Sequence, residues 1–135
     1  LIYDCRNGDL QEIDDAQKAF EEFIRLHDQV KRVLAKDVGT HDPVHIWQGI
    51  WSGDYDCLIH QNSIAIAEML KTPKLNLYHC FLTAGIMKEV LQLYKIGKEL
   101  GLRRGADKFQ MIGRKGWQKV LGIHTESSLY TEEVV

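Results

Sequence analysis

The densest run of side chains able to ligate metal or move protons is THDPVHIWQGIWSGDYDCLIH, residues 40–60. It holds three histidines, three aspartates and a cysteine, interleaved with Trp47 and Trp51. Pro43 suits the first turn of a helix, where its missing N–H would be unpaired in any case. A helix beginning there sets His41 and Asp42 at its mouth and His45 one turn inside, so the three can address a common point. Cys57 and His60, three apart, would share one face of the next helix. Imidazole, thiolate and carboxylate are ligand types that zinc accepts, usually four around a tetrahedral centre, and an open position makes such a centre catalytic rather than structural. These residues could therefore hold a divalent metal, zinc first, between His41, Asp42 and His45 on one helix and either Cys57 or His60 on the next. The competing reading makes His41 and Asp42 a helix cap, His45 a solvated side chain and Cys57 a small core residue.

The elements that would position this cluster all read as helices. Asp9 and Glu12 have the spacing of an N-cap with its reciprocal acid, and Leu10, Ile13, Ala16, Phe20, Phe23, Ile24, Val30, Val33 and Leu34 recur at helical spacing. This predicts a helix over about 10–36, closed by Gly39. Helices follow over about 43–51, 54–71 and 73–100, with Thr72-Pro73 dividing the last two and Gly101 ending the fourth. A fifth, short helix is predicted over about 114–121. No convincing β alternation or internal repeat is evident, so the predicted fold is all-α, one domain over 1–135 built as a bundle of about five helices.

At 135 residues the chain suits a single core. Its formal net charge of −2 argues against a general nucleic-acid binder, but that average hides an asymmetry. Residues 1–70 carry −7 and residues 71–135 carry +5, a polarity that can orient a protein on an anionic surface or hold its own halves together. Three cysteines, Cys5, Cys57 and Cys80, do not read as a disulfide framework and point to a reducing, cytoplasmic compartment. The chain opens on LIYDCRNGDLQEIDD, without a basic-then-apolar leader, and no apolar run approaches the roughly 20 residues a membrane span needs.

HDPVH at 41–45, with Gly49 four residues on, resembles the HDxxH motif of the Coq-four family of ubiquinone-biosynthesis proteins. That family's motif continues, after eleven intervening residues, to a glutamate, and the corresponding position here is Cys57. LKTPKL at 70–75, LTAGIM at 82–87, LGLRRGAD at 100–107 and GWQKVLGI at 116–123 are similar, in order, to later family segments, so the resemblance spans about 38–123. It implies a helical, peripherally membrane-associated protein that holds an isoprenoid tail in an apolar cavity. It also implies a metal at His41, Asp42, His45 and Cys57, and a role on, or organising, a quinone precursor, such as a metal-dependent decarboxylation or hydroxylation. Cysteine in place of the glutamate favours a closed site over a reactive one.

Trp47, Trp51, Tyr55 and Tyr78 could line the approach of a ring, with core packing as the alternative for each. Arg103, Arg104, Lys108, Arg114, Lys115 and Trp117 combine cations with apolar side chains, as a shallow contact with membrane or lipid headgroup requires. A solvated loop paired with the acidic half is the alternative. His27-Asp28 is a second HD pair and admits an HD-type metal phosphohydrolase. Glu68 and Glu89 could support ligands from behind, though nothing distinguishes them from surface carboxylates, and His79 beside Cys80 reads as helix packing. The leading expectation is a zinc-binding, prenyl-quinone or lipid protein, with homodimerisation open. The contrasting class is a non-enzymatic helical ligand-binding or sensor module with an apolar pocket.

Overall fold

The computed structural model describes residues 1–35, 41–112, 125–126 and 129–133. In chain order these form β1 (Ile2–Asp4), β2 (Gln11–Glu12), α1 (Ala16–Arg25), α2 (His27–Leu34), α3 (Pro43–Ser52), β3 (Asp56–Ile59), β4 (Ile64–Lys71), β5 (Asn76–Ala84), α4 (Met87–Arg103), β6 (Lys108–Ile112), β7 (Thr125–Glu126) and β8 (Leu129–Glu133). The strands make one mixed sheet in the order β2-β1-β3-β4-β5-β6-β8-β7. The protein is α/β, which corrects the all-α expectation.

The sheet has helices on both faces. On one, Val90, Leu93, Tyr94 and Leu100 of α4 pack on Leu58, Ala65, Ala67, Tyr78, Cys80, Phe109 and Met111. On the other, Ala19 and Phe23 of α1, Val30 and Leu34 of α2, and Ile46 and Ile50 of α3 cover Ile2, Cys57, Ile59, Ile64, Ile66, Leu82 and Ala84. Two parallel pairs, β1 with β3 and β5 with β6, are joined by helical crossovers, and the remaining neighbours run antiparallel. Parallel neighbours need such crossovers, which is why their helices lie on the sheet faces.

The misread segments fail for a common reason. Strands buried on both faces lose the apolar–polar alternation that marks a strand. All four residues of β3 and the first four of β4 are buried, so the helix predicted over 54–71 is in fact two strands joined by a tight turn in which His60 N–H donates to Ser63 O. The helix predicted over 73–100 is β5 followed by α4, with Gly85 at the joint. At Gly85 φ is +134°, and a side chain there would run into Ser63. The helix predicted over 10–36 begins late and is broken. Gln11–Glu12 pair with β1, the N-cap is Asp15 (its side chain accepts from Lys18 N–H at 2.9 Å), and Leu26 divides α1 from α2. Of the basic segment, Lys108–Ile112 is strand β6. The helix predicted over 114–121 lies outside the described residues. Among the described residues only α3 forms where expected, starting at Pro43 and capped by Gly53, whose φ of +88° is the left-handed conformation that closes helices.

Candidate functional site

A cleft of about 540 Å³ opens between α3 and β4. His45, Gln48, Gly49 and Ser52 of α3 form one wall, Asp54 and Tyr55 the end, and Glu68 and Met69 of β4 the other side. Gly49 is required here, because a Cβ at that position would collide with the Tyr55 ring. The lining offers two carboxylates, an imidazole, a phenol and an amide, with no lysine or arginine among the described residues. Such a wall favours a polar, positively charged occupant.

Behind the cleft the strand registers build a polar row. Glu68 on β4 stands opposite His79 on β5, which stands opposite Gln110 on β6. Directly opposed residues on antiparallel strands bring their Cβ atoms to roughly 5 Å. His79 Nδ1 lies 3.1 Å from Gln110 Oε1. An amide oxygen only accepts, so Nδ1 carries the proton and Nε2 keeps its lone pair. Burial lowers the His79 pKa below its ordinary value of 6.5, against the opposing pulls of Glu68 and the Gln110 bond. The imidazole is therefore neutral at pH 7, with a basic nitrogen available. Next to this row β5 carries a bulge. Ile66 faces Leu82 and Ala67 faces Cys80, so Phe81 is the extra residue. The bulge sets the Phe81 ring between His79, at 6.3 Å, and Tyr55, at 5.0 Å. Bulges recur beside functional sites because they re-aim side chains.

The expected metal ligands are placed differently. His41 and His45 lie together, ring centroids 6.4 Å apart, but His45 Nδ1 accepts the Asp42 backbone N–H at 2.9 Å. Asp42 is the N-cap residue of α3. Cys57 is fully buried in β3 among apolar side chains, where desolvation holds its thiol far above the ordinary range, the reverse of what a thiolate ligand needs. His60 turns away to other partners, accepting Gln61 N–H at Nδ1 (2.8 Å) and meeting Gln92 Oε1 at Nε2 (2.5 Å). Among the described residues no group of three or more His, Cys, Asp or Glu is arranged to hold a metal ion. The four expected ligands are therefore not gathered into one such group. His27 Nδ1 lies 3.6 Å from Asp28 Oδ1, but Asp28 is almost fully exposed at the start of α2.

The other singled-out residues scatter. Tyr55 lines the cleft, Trp47 is half-buried between α1 and α3, and Trp51 is exposed. Tyr78 is buried, and its hydroxyl donates to Asp56 at 2.6 Å. Arg104 is held by both Asp56 oxygens, at 3.0 and 3.2 Å, and donates to Tyr3 Oη at 2.8 Å. Arg103 pairs with Glu99, and Lys108 opens β6. Arg114, Lys115 and Trp117 lie outside the described residues. Glu89 is buried and binds internally, accepting from Asn62 N–H and Ser63 Oγ at 2.8 Å each, which ties the β3–β4 turn to the start of α4.

Sequence reasoning gave Glu68 only a supporting role, read His79 as packing, and did not pair the two. A signal existed: they are equidistant from the centre of the TPKL segment at 72–75, so reading that segment as a hairpin turn sets them face to face. No helix among the described residues is long and apolar enough to cross a membrane. Compared with known proteins, the chain matches no protein-family model and no curated protein.

Proposed function

We propose that this chain binds a small organic cation, an amine, in the α3–β4 cleft and helps remove its proton, with Glu68 as counter-charge and His79 as proton acceptor. The observation that carries this reading is the β4–β5 register, which sets the cleft carboxylate directly against a half-buried, neutral imidazole of fixed tautomer. Perturbed titratable groups beside a cleft with convergent polar side chains are the usual mark of a reactive site.

The chemistry follows from the groups. An ammonium held by Glu68 and Asp54 first gives up one N–H proton, the bonding pair staying on nitrogen. The proton passes by way of Glu68 to His79 Nε2, and the nitrogen lone pair is released as a nucleophile. The fitting reaction class is acyl transfer from a second ligand. The free amine attacks the acyl carbon, and the bond from that carbon to its leaving group breaks. The leaving group takes the proton held on His79, while the second N–H proton of the new amide nitrogen passes to Glu68 or solvent. The polar lining suits a charged ligand better than an isoprenoid tail.

The test is NMR titration of labelled protein with cadaverine, following the His79 ring nitrogens and the Glu68 carboxyl. Saturable shifts at both, weakened at least about tenfold in Glu68→Gln, are expected. Shifts confined to other surfaces, or unchanged affinity in the variant, would refute the reading.

A further inference from the structure

A second feature of α3 lies outside the cleft. Val44, Trp47 and Trp51 recur on one side of this helix, and Phe20 and Ile24 of α1 extend the same apolar strip. Val44 is 55% exposed, Trp51 58%, Phe20 44% and Ile24 48%. The rings are ordered: Trp47 and Trp51 stack with centroids 5.9 Å apart, and Phe20 meets Trp47 edge-on at 5.1 Å. Core packing does not require large side chains to stand this far into solvent, and exposed apolar patches with polar rims mark interaction sites.

The charges around the strip identify its partner. From Pro43 to Ser52, α3 has no Asp, Glu, Lys or Arg. On α1, Glu21 lies beside Phe20 and Ile24, with Gln17 Nε2 donating to its carboxylate at 3.2 Å. Lys18 is two positions from Phe20, about 200° around the helix, and so points away. Arg25 is bound to Glu22 and to the His60 and Gln61 carbonyls. Aromatic faces beside a carboxylate, with no free cation among the described residues on the same side of either helix, attract guanidinium and ammonium groups more than phosphate-bearing membranes and nucleic acids. A ten-residue helix is about 15 Å long, more than a small amine would span.

We infer that the Phe20–Trp47–Trp51 strip is a docking surface for a basic peptide segment of another protein, whose arginine or lysine side chains lie across the tryptophan faces. His45, Gln48 and Ser52 of the same helix line the cleft, so a peptide laid along α3 passes its mouth. The inference extends the cleft reading, resting on it for delivery of a basic side chain to Glu68, but the strip's own occupancy is measured separately.

The experiment uses the full chain and a blocked peptide of about 12 residues with repeating Leu-Arg-Ser, beside a twin with Glu for Arg. Binding is read by tryptophan fluorescence and by amide shifts on α1 and α3. The Arg peptide should bind, the Glu peptide should not, and Trp51→Ala and Glu21→Lys should each weaken binding at least about tenfold. Cadaverine affinity should be unchanged in Trp51→Ala. Equal binding of the two peptides, no effect of either substitution, strip shifts with anionic vesicles alone, or self-association abolished by Trp51→Ala would each overturn the docking inference. Peptide binding without cadaverine binding would leave the strip standing and remove the cleft reading. The converse would do the opposite.

Discussion

Asp56 and Glu68 stand on neighbouring strands of one sheet, and each meets polar side chains from other strands and helices. Asp56 has its oxygens filled: Tyr78 Oη donates to Oδ2, Arg104 reaches both oxygens, and Tyr3 holds the guanidinium from its other side. Opposite charge and hydrogen bonds together compensate the burial of this carboxylate. Glu68 faces a neutral histidine rather than an arginine and lies on the wall of a cleft. The first arrangement ties strand ends to the last residues of α4. The second leaves a carboxylate and a basic nitrogen with capacity to spare, as a site that must act on another molecule requires.

The comparison can be broken or sharpened in four ways. The largest effect should come from Asp56→Ala, which strands the buried Tyr78 hydroxyl and removes the counter-ion of Arg104. A loss of about 3 kcal/mol in urea denaturation is expected, and a loss no larger than an ordinary surface change would demote the network. Gly49→Ala drives a methyl into the Tyr55 ring and should cost about 2 kcal/mol while reshaping the cleft. Unchanged stability together with unchanged amide shifts around Tyr55 would contradict that packing.

Glu68→Gln should leave denaturation midpoints almost unaltered yet weaken cadaverine about tenfold, or 1.4 kcal/mol. Equal losses in both measurements would make Glu68 a second Asp56. The smallest effect concerns pH. The folded state holds the His79 pKa below 6.5, so the unfolded chain binds more protons between the two values. This contribution to stability is therefore fully present above pH 6.5 and is lost as pH falls from there towards the folded-state pKa. His79→Gln should flatten this part of the stability–pH curve by less than about 1 kcal/mol, and an unchanged slope would mean that His79 titrates normally.

How much was legible depended on whether local chemistry or long-range pairing fixed each element. Pro43 and Gly53 bracket α3 by rules that act within a few residues, and that helix was readable. In β4, Ile64, Ala65, Ile66 and Ala67 are buried on alternating faces beneath two helical layers, so polarity gives no period of two. The bulge at Phe81 adds a residue that no pattern in β5 announces. Cys57 falls at a plausible ligand spacing in sequence, but it lies on a strand rather than the expected helix, and its side chain is buried in the helix-covered core. Glu68 and His79 looked ordinary because their meaning lies in a hairpin register rather than in a motif.

The pairing of β1 with β3 also shapes how the chain reaches its fold. Ile2 aligns with Cys57, and α1, α2 and α3 all lie between them in sequence. During synthesis the first strand therefore emerges long before its parallel partner exists. Closing so long a loop is entropically slow, while β4 and β5 can zip as a local hairpin. The expected order is thus hairpin first and N-terminal strand late, leaving the buried Ile2 and Tyr3 open to mispairing in the interval.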